Sequence, residues 1–224
     1  MEHQDLHAHV AVQLVVGLNG RLELGFSGDE TLTCDAVVLG PMVAHRVYPS
    51  STRALLLYAD PRGRLGRALR RLSADGVAPV PQLRALIRRL VQEGAPAEQF
   101  VTALLQEIGP PTSAADKRLG SLLAVADGSQ GDPLSMRDLA SRSGLSNSGF
   151  RELAKRALGV PPARYALWRK LEYALRAVTD GESLAAAAHI GGFADQAHLA
   201  RTMRRMFGVT ASELIALRLA HRSH

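Results

Sequence analysis

The chain has 224 residues, 46% of them hydrophobic and 21% charged, with a net charge of +6 and one cysteine, Cys34. That composition belongs to a water-soluble globular protein; it excludes a disordered chain, an internal disulfide and, with no apolar run of about 18 residues, a membrane span. The charge is unevenly placed: residues 1–115 hold 11 Lys+Arg against 11 Asp+Glu, and residues 116–224 hold 16 against 10. The second half is therefore expected to meet a polyanion, unless its arginines merely coat a surface. The opening segment MEHQDLHAHV has no basic and no apolar stretch of a secretory signal, so a cytoplasmic location is expected.

Residues 7–60 read as strands. VAVQLVVGL, RLELGF, TLTCDAVVL and RALLLYA are short, rich in Val, Leu and Thr, and broken by NG, SGDE and GP. Such segments predict a small antiparallel sandwich or barrel, with Asn19-Gly20 as a two-residue hairpin turn. From Pro61 the period changes. Leu65, Ala68, Leu69 and Leu72 share one helical face; so do Leu83, Leu86, Ile87, Leu90 and Val91, and then Phe100, Val101, Leu104 and Leu105. Three amphipathic helices are predicted. Their apolar faces either meet a second subunit, giving a homodimer, or only cover the strands. GPPTSAADK has the composition of a linker. The expected organisation is a β domain over 1–60, a helical region over 61–109, a linker over 110–117 and a second domain over 118–224.

That second domain reads as helical throughout and contains a repeat. LASRSGLSNSGFRELAKRALGV (139–160) parallels AAAHIGGFADQAHLARTMRRMFGV (186–209). Each has an alanine, a glycine four residues on, an apolar residue, and a basic amphipathic helix ending in Gly-Val. The offset is 48 residues at the first glycine (Gly144, Gly192) and 49 at the last (Gly159, Gly208), so the second copy carries one extra residue in its turn. Two helices crossing steeply need a small residue at the crossing, a residue tolerant of positive φ at the corner, and an apolar anchor beyond it. Ala140, Gly144 and Phe150 meet those needs in the first copy, with Leu139 and Leu153; Ala188, Gly192 and Leu199 do so in the second, with Phe193 as a plug. Ser146 and Asp195 are suited to cap the helices that follow. Two helix-turn-helix motifs are thus predicted, at about 135–158 and about 183–207. A connecting helix at about 162–178 joins them, with Leu167, Leu171, Ala174, Leu175 and Val178 as its core stripe and Tyr165 and Trp168 as core residues.

Residues 118–224 resemble the C-terminal DNA-binding domain of AraC/XylS-type bacterial transcription regulators. The segment GGFADQAHLARTMRRMFGVTASEL carries most of the resemblance, and LSNSGFRELAKRALGVPPARYALWRKLEYA matches the first half of the pattern. Ala211 stands where the family has proline, and Gly149 and Ala154 stand where it has larger residues. The resemblance implies an α+β chain: a small N-terminal cupin-like β-barrel with following helices, then an all-α domain with two helix-turn-helix motifs joined by a connecting helix. It implies a sequence-specific regulator binding double-stranded DNA, with one recognition helix in each of two successive major grooves. By position in the motif, Ser148, Arg151 and Glu152 face one groove, and Gln196, Ala197, His198 and Arg201 face the next. Arg suits guanine, Gln suits adenine and Glu can accept from cytosine, although Glu152 could instead pair with Arg151. His198 is either a donor to DNA or a helix-end histidine. Lys155, Arg204 and Arg205, with Arg156 and Lys170, are cast as phosphate contacts. RNA polymerase is a further partner such a regulator is expected to meet.

The N-terminal segment is similar to cupin motifs. HAHVAVQLVVGLNG places His7, His9, Gln13 and Gly20 at the first motif's spacing, with Gln13 in place of the usual glutamate, and GPMVAH offers Pro41 and His45 for the second. Alternate strand residues face one side, so His7 and His9 point together. Three imidazoles and an amide oxygen could hold a divalent metal, or the domain could take a small organic effector; otherwise these residues line a barrel mouth or a frayed terminus. Two other functions fit parts of the chain. A metal-dependent cupin enzyme would need an acidic partner that the segment lacks, so the chain is not expected to be an enzyme. A nonspecific nucleic-acid-binding protein would ignore base sequence.

Overall fold

The computed structural model describes residues 6–48, 52–109, 140–141 and 144–208. The chain divides into two units, Met1–Ala114 and Ala115–His224. The expected linker at 110–117, Leu139 and the segment from 209 onward with Ala211 lie outside the described residues.

The first unit contains two antiparallel sheets. One has the order β6-β1-β4-β7, built from β1 (Val12–Gly17), β4 (Ala36–Leu39), β6 (Ala54–Ala59) and β7 (Val77–Pro79). The other has the order β3-β2-β5, built from β2 (Leu22–Phe26), β3 (Thr31–Cys34) and β5 (His45–Val47). Helices α1 (Arg64–Leu72), α2 (Leu83–Gln92) and α3 (Ala97–Ile108) complete it. Every residue of β1 is buried, because the strand has a layer on each side. Val12, Leu14 and Val16 pack with Ala36 and Val38 against Leu69, Leu83, Ile87 and Leu104 of the helices. Val15 packs with Val37 and Leu39 against Leu22, Leu24 and Val47 of the second sheet. Each buried Leu or Val contributes about 1.5–3 kcal/mol of transfer free energy, which is what holds the three layers together. Gln13 lies two residues before Val15 and so shares the face between the sheets.

The strands depart from expectation in three places. Asn19-Gly20 does not close a hairpin: β1 is paired on both edges, with β4 and with β6, and β2 belongs to the other sheet. Arg84 of α2 pins this crossing, donating to Gly17 O at 2.9 Å, to Gly20 O at 3.1 Å and to the Asp35 carboxylate at 2.7 Å. TLTCDAVVL is two strands in different sheets, broken at Asp35. Finally, Val77–Pro79 adds an edge strand between α1 and α2. The helices follow the predicted stripes, with Leu65, Ala68, Leu69, Leu83, Ile87, Leu90 and Leu104 buried, except that Val101 is exposed.

The second unit is helical over its described residues: α4 (Asn147–Leu158), α5 (Pro162–Thr179), α6 (Leu184–Ile190) and α7 (Gln196–Phe207). Pro162 occupies the first turn of α5, where its missing N–H costs nothing. The buried residues of α5 are Pro162, Tyr165, Trp168, Leu171, Ala174 and Ala177, each three after the last. Tyr165 and Trp168 are core, as predicted, but Leu167, Leu175 and Val178 are only half-buried. At about 100° per residue, a step of three falls about 60° short of a full turn. The buried stripe therefore winds around α5, and the helix presents different faces to the neighbours it packs on, α4 and α6.

Candidate nucleic-acid interface and a buried histidine cluster

Each motif of the second unit turns on a left-handed glycine. Gly144 has φ 67° and Gly192 has φ 70°, a conformation that costs an L side chain about 1–2 kcal/mol. The preceding Gly191 answers a different need. A Cβ there would come within 2.8 Å of both Ala174 Cβ and Lys170 O, so only glycine lets the second turn lie against α5. Lys170 Nζ donates to Gly192 O at 3.0 Å and fastens the same turn. This bond gives Lys170, expected at a phosphate, a partner within the domain.

Two residues after Gly144, Ser146 caps α4, accepting from Gly149 N at 3.2 Å; three residues after Gly192, Asp195 caps α7, accepting from His198 N at 2.6 Å. The extra residue of the second copy thus lies between its corner and its cap. Beyond the caps the copies coincide. Both helices have 12 residues, and both end on a left-handed glycine, Gly159 (φ 74°) and Gly208 (φ 69°). Phe150 anchors α4 at 1% exposure, and Leu199 holds the matching place in α7 at 1%, with Met203, Met206 and Phe207 also buried. Ala140, Ala188 and Phe193 are buried as the motif requires. Trp168 packs on Phe207 with ring centroids 5.8 Å apart.

The opposite face of each helix is open. Ser148, Arg151, Glu152 and Lys155 are exposed on α4, as are Gln196, Ala197, His198, Arg201, Arg204 and Arg205 on α7. Among the described residues, none of these cations and not Glu152 makes an ion pair, whereas Arg169 and Arg176 on α5 are both tied to Glu172. The 49-residue offset aligns Asn147 with Gln196, Ser148 with Ala197, Glu152 with Arg201 and Lys155 with Arg204. The copies therefore differ in charge where their backbones agree. Ser148 Oγ sits 3.1 Å from the capping Ser146 Oγ. The His198 ring packs edge-on against Phe193 at 5.2 Å, and its Nδ1 accepts from Ala194 N at 3.5 Å, which leaves Nε2 to carry the proton.

In the first unit His7, His9, Gln13 and His45 come together, at 5%, 1%, 0% and 0% exposure. His7 and His45 exchange backbone hydrogen bonds of 3.0 and 2.9 Å, which joins the segment before β1 to β5. The three imidazole centroids are 4.5–5.9 Å apart. Burial lowers the pKa of His9 to about 4 and that of His45 to about 3, so both rings are neutral near pH 7. Tyr58 stands opposite Gln13 in register, lies edge-on to His9 at 5.1 Å, and has its hydroxyl pKa raised by burial. Sequence spacing could not single out Tyr58, because its place depends on the β1–β6 pairing.

Comparison with known proteins bears on both units. Residues 139–216 match the family model described as a helix-turn-helix domain. A search of curated protein sequences gives no match. Among solved structures, ToxT from Vibrio cholerae superposes over 96% of this chain and 92% of its own, with a TM-score of 0.62 at 9% identity, a likeness of fold. A transcriptional regulator with an AraC-type DNA-binding domain from Chromobacterium violaceum is 27% identical over 46% of this chain and 92% of its own, with a TM-score of 0.43. The DNA-binding domain of AdpA, solved with a target DNA, is 22% identical over 48% of this chain and 98% of its own, with a TM-score of 0.43.

Proposed function

We propose that the chain is a DNA-binding transcription regulator of the AraC family, and that its two recognition helices, α4 and α7, enter successive major grooves of one duplex. The observation that carries this reading is the twinned motif. Twice, a left-handed glycine and an oxygen cap lead into a 12-residue helix with one face buried and a cationic face free. α5, with 18 residues, is about 27 Å long at 1.5 Å per residue, a strut of the length needed to place two heads near the 34–36 Å of one DNA turn.

Within each groove, base readers and phosphate contacts divide by chemistry. Arg151 and Arg201 are cast as guanine readers, Gln196 as an adenine reader, and Glu152 as an acceptor from cytosine. The Ala197 methyl suits a thymine methyl, and Ser148 and the His198 Nε2–H are donors at the groove edge. Lys155, Arg204 and Arg205 are cast as phosphate contacts, which position the helix and carry the salt dependence. The first unit modulates this binding. ToxT has been solved with an unsaturated fatty acid bound, and we extend to this chain the reading that an effector, a small organic molecule or a metal ion, acts through the first unit. Such an effector works by favouring one arrangement of the heads over another, to the extent that its affinities for the two differ. The exposed Val101 and the α1–α3 surface are assigned to a homodimer contact. RNA polymerase is the further partner.

Selection of bound oligonucleotides followed by salt titration tests the reading. A steep salt slope on the selected and on a scrambled duplex, with the selected one bound at least about a thousandfold more tightly, supports a specific regulator. Equal affinities at every salt concentration would assign the protein to nonspecific nucleic-acid binding.

A further inference from the structure

The two recognition helices share one frame. At an offset of 49 residues the caps Ser146 and Asp195, the anchors Phe150 and Leu199 and the closing glycines Gly159 and Gly208 coincide. Matched positions therefore send their side chains from matched points of each helix. The two ends of the exposed face keep their chemistry. Asn147 and Gln196 open the helices with a primary amide, and Lys155–Arg156 and Arg204–Arg205 close them with paired cations. The middle turn differs: Gly149, Arg151 and Glu152 stand where α7 has His198, Ala200 and Arg201. Glu152 and Arg201 are both exposed, so one position of a common frame presents opposite charges. Among the described residues neither makes an ion pair. Arg151 does not neutralise Glu152, because sequence neighbours leave a helix about 100° apart and do not face one another.

We propose that a G·C pair is reversed between the two half-sites, with cytosine under Glu152 and guanine under Arg201, and that this reversal assigns each half-site to its own head. The inference rests on the DNA-binding reading above and adds to it that the heads are not interchangeable. A guanine edge offers the acceptors O6 and N7, which repel a carboxylate and receive a guanidinium in a bidentate pair; the cytosine N4 amine does the reverse. Were the two base pairs exchanged, Glu152 would face two acceptors and Arg201 a donor, so both contacts would turn repulsive at once. His198, whose Nε2–H also only donates, shares the preference of Arg201 for acceptors. Asn147 and Gln196 suit adenine alike, and the last-turn cations meet phosphate alike, so none of these tells one half-site from the other. Discrimination comes from the contact that each head repels as much as from the one it makes.

The test repeats the oligonucleotide selection with the full chain, native and carrying Glu152→Arg, Arg201→Glu or both. Glu152→Arg should turn cytosine into guanine at one position of one half-site, and Arg201→Glu should turn guanine into cytosine at one position of the other. The double variant has the native net charge, so a difference between it and the native chain is not an effect of total charge. On the native duplex it should bind about a hundredfold more weakly, about tenfold for each wrong base pair. On a duplex with those two base pairs exchanged it should recover, while the native chain should lose about the same factor. Recovery is a gain that a misfolded variant cannot produce. A double variant that keeps the native preference, or that fails to recover on the exchanged duplex, would overturn the reversal. So would Glu152→Arg tightening every duplex alike, which would make Glu152 a brake on overall charge. A native chain that selects no duplex would instead overturn the proposed function itself.

Discussion

The two units treat the same side-chain types in opposite ways. The first places three histidines and Gln13 inside, none more than 5% exposed; the second places His198 and Gln196 on an open helix face. A buried polar group must be satisfied by the fold or by a bound ligand, since leaving it unmet costs about 1–3 kcal/mol. An exposed one is already satisfied by water and is available to whatever arrives. The first environment suits sensing a small ligand, and the second suits reading a polyanion. Within the second unit the contrast recurs between Arg169 and Arg176 of α5, which are tied to Glu172, and the cations on the open faces of the recognition helices, which make no ion pair among the described residues.

The largest expected effect breaks the scaffold of the second unit alone. Gly191→Val puts a branched side chain where even a Cβ meets Lys170 O at 2.8 Å, and it should destabilise that unit by about 3 kcal/mol or more. Gly144→Ala, with φ 67° but no atom of the described residues within 4 Å, should cost only about 1–2 kcal/mol. Denaturant unfolding followed by Trp168 fluorescence measures both; equal losses would mean that the second turn is not held against α5 by close approach.

The next effect belongs to the first unit. The folded pKa of His9, about 4, lies below its unfolded value of 6.5. Below pH 6.5 the unfolded chain takes up a proton that the folded chain refuses, so stability falls as pH drops from 6.5 toward about 4 and then levels off. In chelated protein the loss for His9 is on the order of 3 kcal/mol, and His45, at about 3, extends the fall to lower pH. A first unit whose stability is flat between pH 7 and 4 would contradict the neutral, buried assignment.

Smaller effects separate readers from anchors. Arg201→Ala should cost about 1–3 kcal/mol on the selected duplex and relax base preference at one position, whereas Arg205→Ala should weaken every duplex alike and shallow the salt slope by about one. Identical losses across all duplexes would undo that division. Smallest of all, Ser146→Ala and Asp195→Ala should each cost about 1 kcal/mol in unfolding free energy by loss of a cap.

How much of this was legible in the sequence depended on the range of the interaction. Corners, caps and anchors are local, so Gly144, Gly192, Ser146, Asp195, Phe150 and Leu199 could be assigned from spacing alone. The amphipathic helices of the first unit were equally plain, apart from Val101, which is exposed. Sheet partnership is not local. Asn19-Gly20 has the chemistry of a hairpin turn, but Arg84, 64 residues beyond Gly20, fixes that loop as a crossing between sheets. The α5 stripe was misplaced because an i+3 ridge winds, and the neighbours it meets are set by tertiary packing. The convergence of His7 and His9 with His45 was suggested by the cupin-like spacing; the ring orientation of His9 and His45 was not, since it depends on the carbonyls of Ala11 and Val43.

Guanine-N7 methylation interference on the selected duplex tests the central claim most directly. Two clusters of interference on one face of the DNA are expected, about 10 base pairs apart, with one lost in Arg151→Ala and the other in Arg201→Ala. A single cluster, or two clusters that neither substitution affects, would contradict a chain that reads two successive major grooves with α4 and α7.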